Sequence, residues 1–218
     1  MQSSSFADLA RHPDPPLDRL ALALAAELRE VDEARALARL DALGEEVAQA
    51  LAGTPRTPAA EVGALAAVLG ARHGYHGVNE DYDHPDRSML DLVIERRVGL
   101  PILLSVLYAE VGRRAGVALA GVGLPGHFVV GHFGDRPPLL ADPFRRGEPL
   151  PDALAPTLVR PWTPHETALR MLNNLVGAYH GRHDLGHAIR AAELRLDVAG
   201  SDREALELEL RGLRARLN

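Results

Sequence analysis

The 218-residue chain contains no cysteine. That excludes disulfides, thiolate metal sites and a cysteine nucleophile at once. Lysine is also missing, so every cation is an arginine or a histidine. With Ala, Leu, Arg and Gly so frequent, biased genome composition accounts for that swap. Aromatic residues make up only 4%. No run of 18 apolar residues occurs, so no transmembrane helix is expected. The opening MQSSSFADLARHPDPP has no apolar h-region and does not read as a secretory signal, so the expected location is the cytoplasm. The net charge is −6 and no stripe of arginines stands clear of acids, which argues against nucleic acid as a partner.

What is present suits a soluble globular protein with one core: 46% hydrophobic and 25% charged residues. Residues 1–16 are polar and proline-bearing and read as a flexible arm, with at most a turn at Phe6 to Leu9. Leu20, Leu24, Leu28 and Val31 recur at helical spacing, with Asp18 placed to cap that helix. Ala36, Leu40, Leu43, Val47 and Leu51 mark a second helix from about Asp32. Val62, Leu65, Val68 and Leu69 mark a third from about Pro58. Together they form a helical cap. Residues 70–87 read as a long turn-rich loop, of the length that often carries function. Ser88 is the expected cap of a helix over 89–98, and Gly99 its left-handed stop.

Pro101 suits the first turn of the next helix, where a missing N–H costs nothing. That helix is apolar over most of its circumference and is therefore buried on most sides. Arg113 and Arg114 close it and Gly116 stops it. Strands are expected over 117–124, 127–133 and 139–142. The middle of the chain is thus α+β, a buried helix against a small antiparallel sheet. Residues 161–218 return to helices in a helix-turn-helix pattern. Ser201 is placed to cap a last helix carrying Leu206, Leu210, Leu213 and Leu217.

His127 in PGHF and Asp142 in ADPF fall on neighbouring strands behind the buried helix. That is the layout of a His-based hydrolase or acyl-transfer site. Ser105 is the only hydroxyl other than Tyr108 on that helix. It is a candidate nucleophile, although a helical serine more often bonds back to a carbonyl one turn earlier. Asn79, Asp81, Tyr82 and Asp83 are candidates to line a cleft, against the plainer reading that Asn and Asp satisfy their own turns. Glu95 and Arg97, flanking Arg96, are candidates to hold a partner or a carboxylate, against a role in an internal ion-pair network. His73, His76 and His84, and the set His180, His183 and His187, match no metal-binding spacing, so neither metal nor other cofactor is called.

Several short motifs, in order, resemble the SirB-type transglutaminase-like family of bacteria. They are Asn79-Glu80-Asp81-Tyr82, the stretch from Ser88 through Glu95-Arg96-Arg97, Gly99-Leu100-Pro101-Ile102, Leu104-Ser105, Tyr108, Gly121 through Phe128, and Asp142-Pro143-Phe144. The resemblance implies a transglutaminase and papain-like core over 17–160 with its N-terminal helical cap. It also implies a tetratricopeptide-like segment over 161–218 packed on that core. Active members of the wider superfamily use a Cys at the start of the buried helix, a His on one strand and an Asp on the next. Counting back from Arg113 and Gly116 by the superfamily spacing places the missing Cys at about Pro101. The expectation is a catalytically degenerate domain that binds a protein or peptide. The rival is an amide hydrolase or acyl transferase using His127 and Asp142 with Ser105 or water.

Overall fold

The computed structural model describes residues 5–151 and 159–216. Leu217, assigned above to the last helix, lies outside them. Within the expected arm, Phe6–Arg11 form a helix, α1, capped by Ser5. Its reason is apolar burial: Phe6 and Ala10 sit in the core. Two polar contacts then fix it to the far end of the chain, Arg11 to Asp197 and the Ala199 amide to the Ala10 carbonyl.

Next come α2 (Leu17–Ala26), α3 (Glu33–Leu51) and α4 (Pro58–Leu65). Leu20 and Leu24 and the apolar stripes expected for the second and third helices are buried, whereas Leu28 and Val31 lie beyond the end of α2 and are half-buried. Asp32 and Thr57 cap α3 and α4 through their side chains. Asp18 is no cap. It sits inside the first turn of α2 and is buried. α4 continues into a π-helical stretch, Ala66–Arg72, that takes in the first residues of the expected loop. A 3₁₀ turn, Pro85–Ser88, takes in the last. Ser88 closes that turn and Met89 precedes α5 (Leu90–Arg96), so the serine does not cap α5. Arg97, not Gly99, adopts the left-handed conformation that ends α5, with φ of 64°. Gly99 serves packing instead: a Cβ there would stand 2.8 Å from a Val93 methyl.

α6 (Pro101–Arg114) starts on Pro101 as expected and is buried from Pro101 through Gly112. It lies against an antiparallel sheet ordered β1 (Leu119–Leu124), β2 (His127–His132), β3 (Leu139–Asp142) and β4 (Glu148–Pro149). The β1–β2 hairpin pairs Leu124 with His127, leaving only Pro125 and Gly126 in the turn. Gly126 has φ of 71°, which a side chain would oppose. Both faces of β2 are covered. Phe128 and Val130 belong to the main core, while Val129 packs with Val122 and Leu140 in a smaller cluster. The C-terminal part is α7 (Pro164–Gly181), α8 (Leu185–Leu194) and α9 (Arg203–Arg214). Thr163 and Glu166 form a reciprocal cap on α7, and Asp202, one residue beyond the expected Ser201, caps α9. Among the described residues no helix is long and apolar enough to cross a membrane.

Candidate functional site

The pairing of Val130 with Ala141 makes Val129 the next partner, opposite Asp142. His127 is therefore diagonal to Asp142, within reach of a long side chain. The two meet: His127 Nε2 lies 2.9 Å from Asp142 Oδ2. The other carboxylate oxygen accepts the Phe144 amide at 2.9 Å, and Arg145 Nε stands 3.8 Å from Oδ2. Asp142 is nearly sealed, at 8% side-chain exposure, whereas the His127 ring keeps 32%. With Nε2 held by the carboxylate, Nδ1 is the ring atom left without a hydrogen-bond partner among the described residues. A His oriented by a buried carboxylate, with its second nitrogen open, has the arrangement of a general base.

Aromatic rings continue the wall. Phe144 sets its ring edge-on to His127, centroids 6.3 Å apart, and Tyr82 lies 6.0 Å from Phe144. Gly77 makes this possible. Its amide donates to the Phe144 carbonyl at 2.9 Å, and a Cβ would overlap the Phe144 ring at 1.8 Å. The loop carrying Tyr82 is tied down by Arg182, at the end of α7, which bonds Asp81 and reaches Asp83 at 3.1 Å. Tyr82 is thereby held beside Phe144, whose other neighbour is the His127 ring. Asn79 is exposed on the same loop.

On α6, Pro101, Ser105 and Tyr108 follow one another at i, i+4 and i+7, so they share a side of the helix. Ser105 is completely buried and its Oγ has no hydrogen-bond partner, neither His127 nor a backbone carbonyl. The Tyr108 hydroxyl is likewise buried and unpartnered. Burial, and then the nearby Asp142 charge, push its pKa far up, so it stays a neutral phenol.

Glu95 and Arg97 do not join this site. Both line a separate groove of about 1610 Å³ between α2, α3 and α5, together with Arg29, Arg35 and Arg39. Arg97 donates to the His73 carbonyl at 3.3 Å, and neighbouring Arg96 pairs with Asp86. His73, His76, His84 and His187 are used locally. His73 takes a hydrogen bond from Arg39 and bonds Glu46 at 2.8 Å. His76 bonds the Gly74 carbonyl, and His84 caps the 3₁₀ turn. His187 stacks on Tyr179 and bonds Asp184. Among the described residues no group of three or more potential ligands converges on a metal position.

Sequence reasoning missed Phe144, Arg182 and the part played by Gly77. Phe144 stood within the ADPF motif next to Asp142. Arg182, 101 residues from Asp81, left no local signal.

A buried helix packed on an antiparallel sheet, with a His and an Asp bonded across two strands, defines a transglutaminase-like fold. The chain belongs to the transglutaminase-like superfamily, whose core-domain family model matches residues 34–174. It is similar to UPF0162 proteins of Xylella fastidiosa. For strains 9a5c and Temecula1 the identity is 37% over 151 residues, covering 61% of this chain and 54% of the relative in each case. A UPF0162 protein of Pseudomonas aeruginosa is 36% identical over 126 residues, covering 56% of this chain and 44% of the relative. The chain thus spans about half the length of the curated relatives it matches. No solved structure matches it.

Proposed function

We propose that this chain is a catalytically silent, SirB-type transglutaminase-like domain that binds a protein or peptide segment along the His127, Phe144 and Tyr82 wall. The observation that carries the reading is His127. It is oriented by Asp142 and partly exposed, yet no nucleophilic side chain is bonded to its open Nδ1. Pro101, about where the resemblance implies a cysteine, has no side-chain chemistry. Ser105 is sealed away. Aromatic faces beside a ring nitrogen that can donate or accept suit an extended peptide, which offers both apolar side chains and backbone amides. The helical segment over 161–218, read as tetratricopeptide-like, supports the same wall through Arg182 and its grip on the Tyr82 loop.

The test starts from peptides selected for binding to the purified chain. Tyr82→Ala and His127→Ala are expected to weaken them by about tenfold or more, as for anchor residues of an interface. In parallel, wild type, His127→Ala and Ser105→Ala are assayed for ester and amide hydrolysis. Activity in wild type that disappears in His127→Ala overturns the reading. It would favour a hydrolase in which His127 activates water or, if Ser105→Ala is also dead, the serine.

A further inference from the structure

A second pocket of about 710 Å³ lies between α7 and α9, away from the His127 site. That volume is within the range of small-molecule sites. Its most unusual member is Arg195. The side chain is only 5% exposed, which is rare for an arginine unless its donors are all used. Here only Nη1 is used, at 3.0 Å from both Asn173 Oδ1 and Glu209 Oε2. Nε and Nη2 are buried with no partner. Those two nitrogens form one edge of the guanidinium, the fork that takes both oxygens of a planar oxyanion. Leaving such an edge unmet in the interior is costly, so it calls for a ligand group.

The surroundings agree. Arg216 also lines the pocket and donates to His180 Nε2. Asn173 uses its oxygen on Arg195, leaving its amide N–H groups for another acceptor. Two arginines against the single carboxylate of Glu209 leave one positive charge, which one carboxylate neutralises. Val176 and Leu213 add apolar wall.

The pocket is also kept open at a cost to its own helices. Gly177 in α7 and Gly212 in α9 both line it, and a Cβ built on either meets nothing within 4 Å. A glycine inside a helix is less stable than an alanine there. No close contact requires glycine at either position. What the two glycines supply is room.

We infer that this pocket is a binding site for a carboxylate carried on a small apolar body, with the Arg195 edge and Arg216 as its recognition groups. The inference is independent of the reading of the His127 site. Because Nε and Nη2 are closed to solvent, a ligand reaches them only when a wall side chain moves aside.

Melting of the whole chain is followed with benzoate, with neutral benzamide and with inorganic phosphate, and dissociation constants are measured by calorimetry. A short peptide is added in free-acid and C-terminally amidated forms. Benzoate is expected to raise the melting temperature in a concentration-dependent way and benzamide is not. Binding of the free-acid peptide without binding of benzoate assigns the carboxylate to a chain terminus. Benzoate binding assigns it to a free organic acid. Arg216→Met is expected to weaken binding by about tenfold. Arg195→Met carries a folding risk, so Gly177→Leu is the companion variant. It fills the pocket where no atom stands, and is expected to abolish binding while the protein stays folded. Equal shifts from benzoate and benzamide, no binding by any carboxylate probe, a larger shift from phosphate than from benzoate, or unchanged binding in Gly177→Leu each overturn the assignment.

Discussion

Asp18 Oδ2 lies 2.7 Å from Arg114 Nη2, joining the first turn of α2 to the last turn of α6. Asp18 is 2% exposed, and Arg113 reaches the same oxygen at 3.3 Å. Arg114 also bonds Glu110, 3.1 Å away on α6, and Asp41 on α3 at 2.6 Å. The arginines that favour the end of the α6 dipole therefore also clamp the helical cap onto the core. Burial pushes the Glu110 carboxyl up, the Asp18 charge adds to that, and the two arginines oppose both.

Removing the charge of Asp18 leaves Arg114 with Asp41, which is largely solvated, and Glu110, whose ionisation burial resists. Breaking a buried pair by losing one partner costs about 3–5 kcal/mol. Because two partners remain, Asp18→Asn is expected to lower unfolding free energy by about 3 kcal/mol, the low end of that range. Urea denaturation reads it. A loss under about 1 kcal/mol, the scale of an exposed pair, would mean the network is not closed to water.

The same chemistry predicts a pH dependence at the sheet. His132 Nδ1 accepts the Gly134 amide, so Nε2 carries the proton that it donates to Glu61 at 2.7 Å. Both side chains are about nine-tenths buried. Burial raises the Glu61 carboxyl, but hydrogen bonds from His132 and Arg56 outweigh it, and the net pKa lies below the ordinary 4.5. A depressed folded-state pKa gives stability that is present above the unfolded value and lost as pH falls through the folded one. Glu61→Gln is expected to cost about 1–3 kcal/mol at pH 7. The gap to wild type should hold from pH 7 down to the ordinary carboxylate value of 4.5 and narrow as the pH falls below it. A gap that stays constant below that value too would assign the cost to packing, not charge.

Much of the fold is written locally. The apolar stripes of α2 and α3, Pro101 at the start of α6 and the Pro125–Gly126 turn each announce themselves within a few residues. His127 and Asp142 could be paired because sequential antiparallel strands restrict which side chains meet. What the sequence conceals is what depends on distant partners. Asp18 looks like a cap until Arg114 is brought beside it. Phe6 looks like part of an arm until the residues around Asp197 and Ala199 provide something to dock against. Glu95 and Arg97 share a motif with the site but face another groove, because α5 presents its charged end to α3.

Gly77 tests how the aromatic wall supports His127. A methyl group there overlaps the Phe144 ring, which is flanked by Tyr82 and His127 and cannot yield without moving both. Overpacking of this kind costs about 1–3 kcal/mol. Gly77→Ala is expected to lower stability by that amount and to shift the His127 ring resonances in NMR, whereas Gly74→Ala should leave those resonances in place. Gly74 has φ of 72° but no atom near its Cβ, so it isolates backbone strain from ring displacement. Unmoved His127 resonances in Gly77→Ala would show that Phe144 does not position the ring.

Pro101 can be tested directly because the chain has no cysteine of its own. Pro101→Cys creates a single thiol at the N-terminus of α6, on the side of the helix that carries Ser105 and Tyr108. A helix N-terminus and a nearby imidazolium both favour a thiolate. If this is the superfamily's nucleophile position, the new thiol should titrate below the ordinary value of about 8.5. It should then be alkylated by iodoacetamide at neutral pH faster than a free thiol. Adding His127→Ala should return the titration toward the ordinary value, while Ser105→Ala should not. The alkylation profile against pH separates this from simple exposure, since exposure changes the maximum rate and leaves the midpoint alone. A midpoint near the ordinary value that His127→Ala does not move would break the link between Pro101 and the His127–Asp142 pair. That pair would then stand as a strand-to-strand clasp, with no position on α6 that chemistry could occupy.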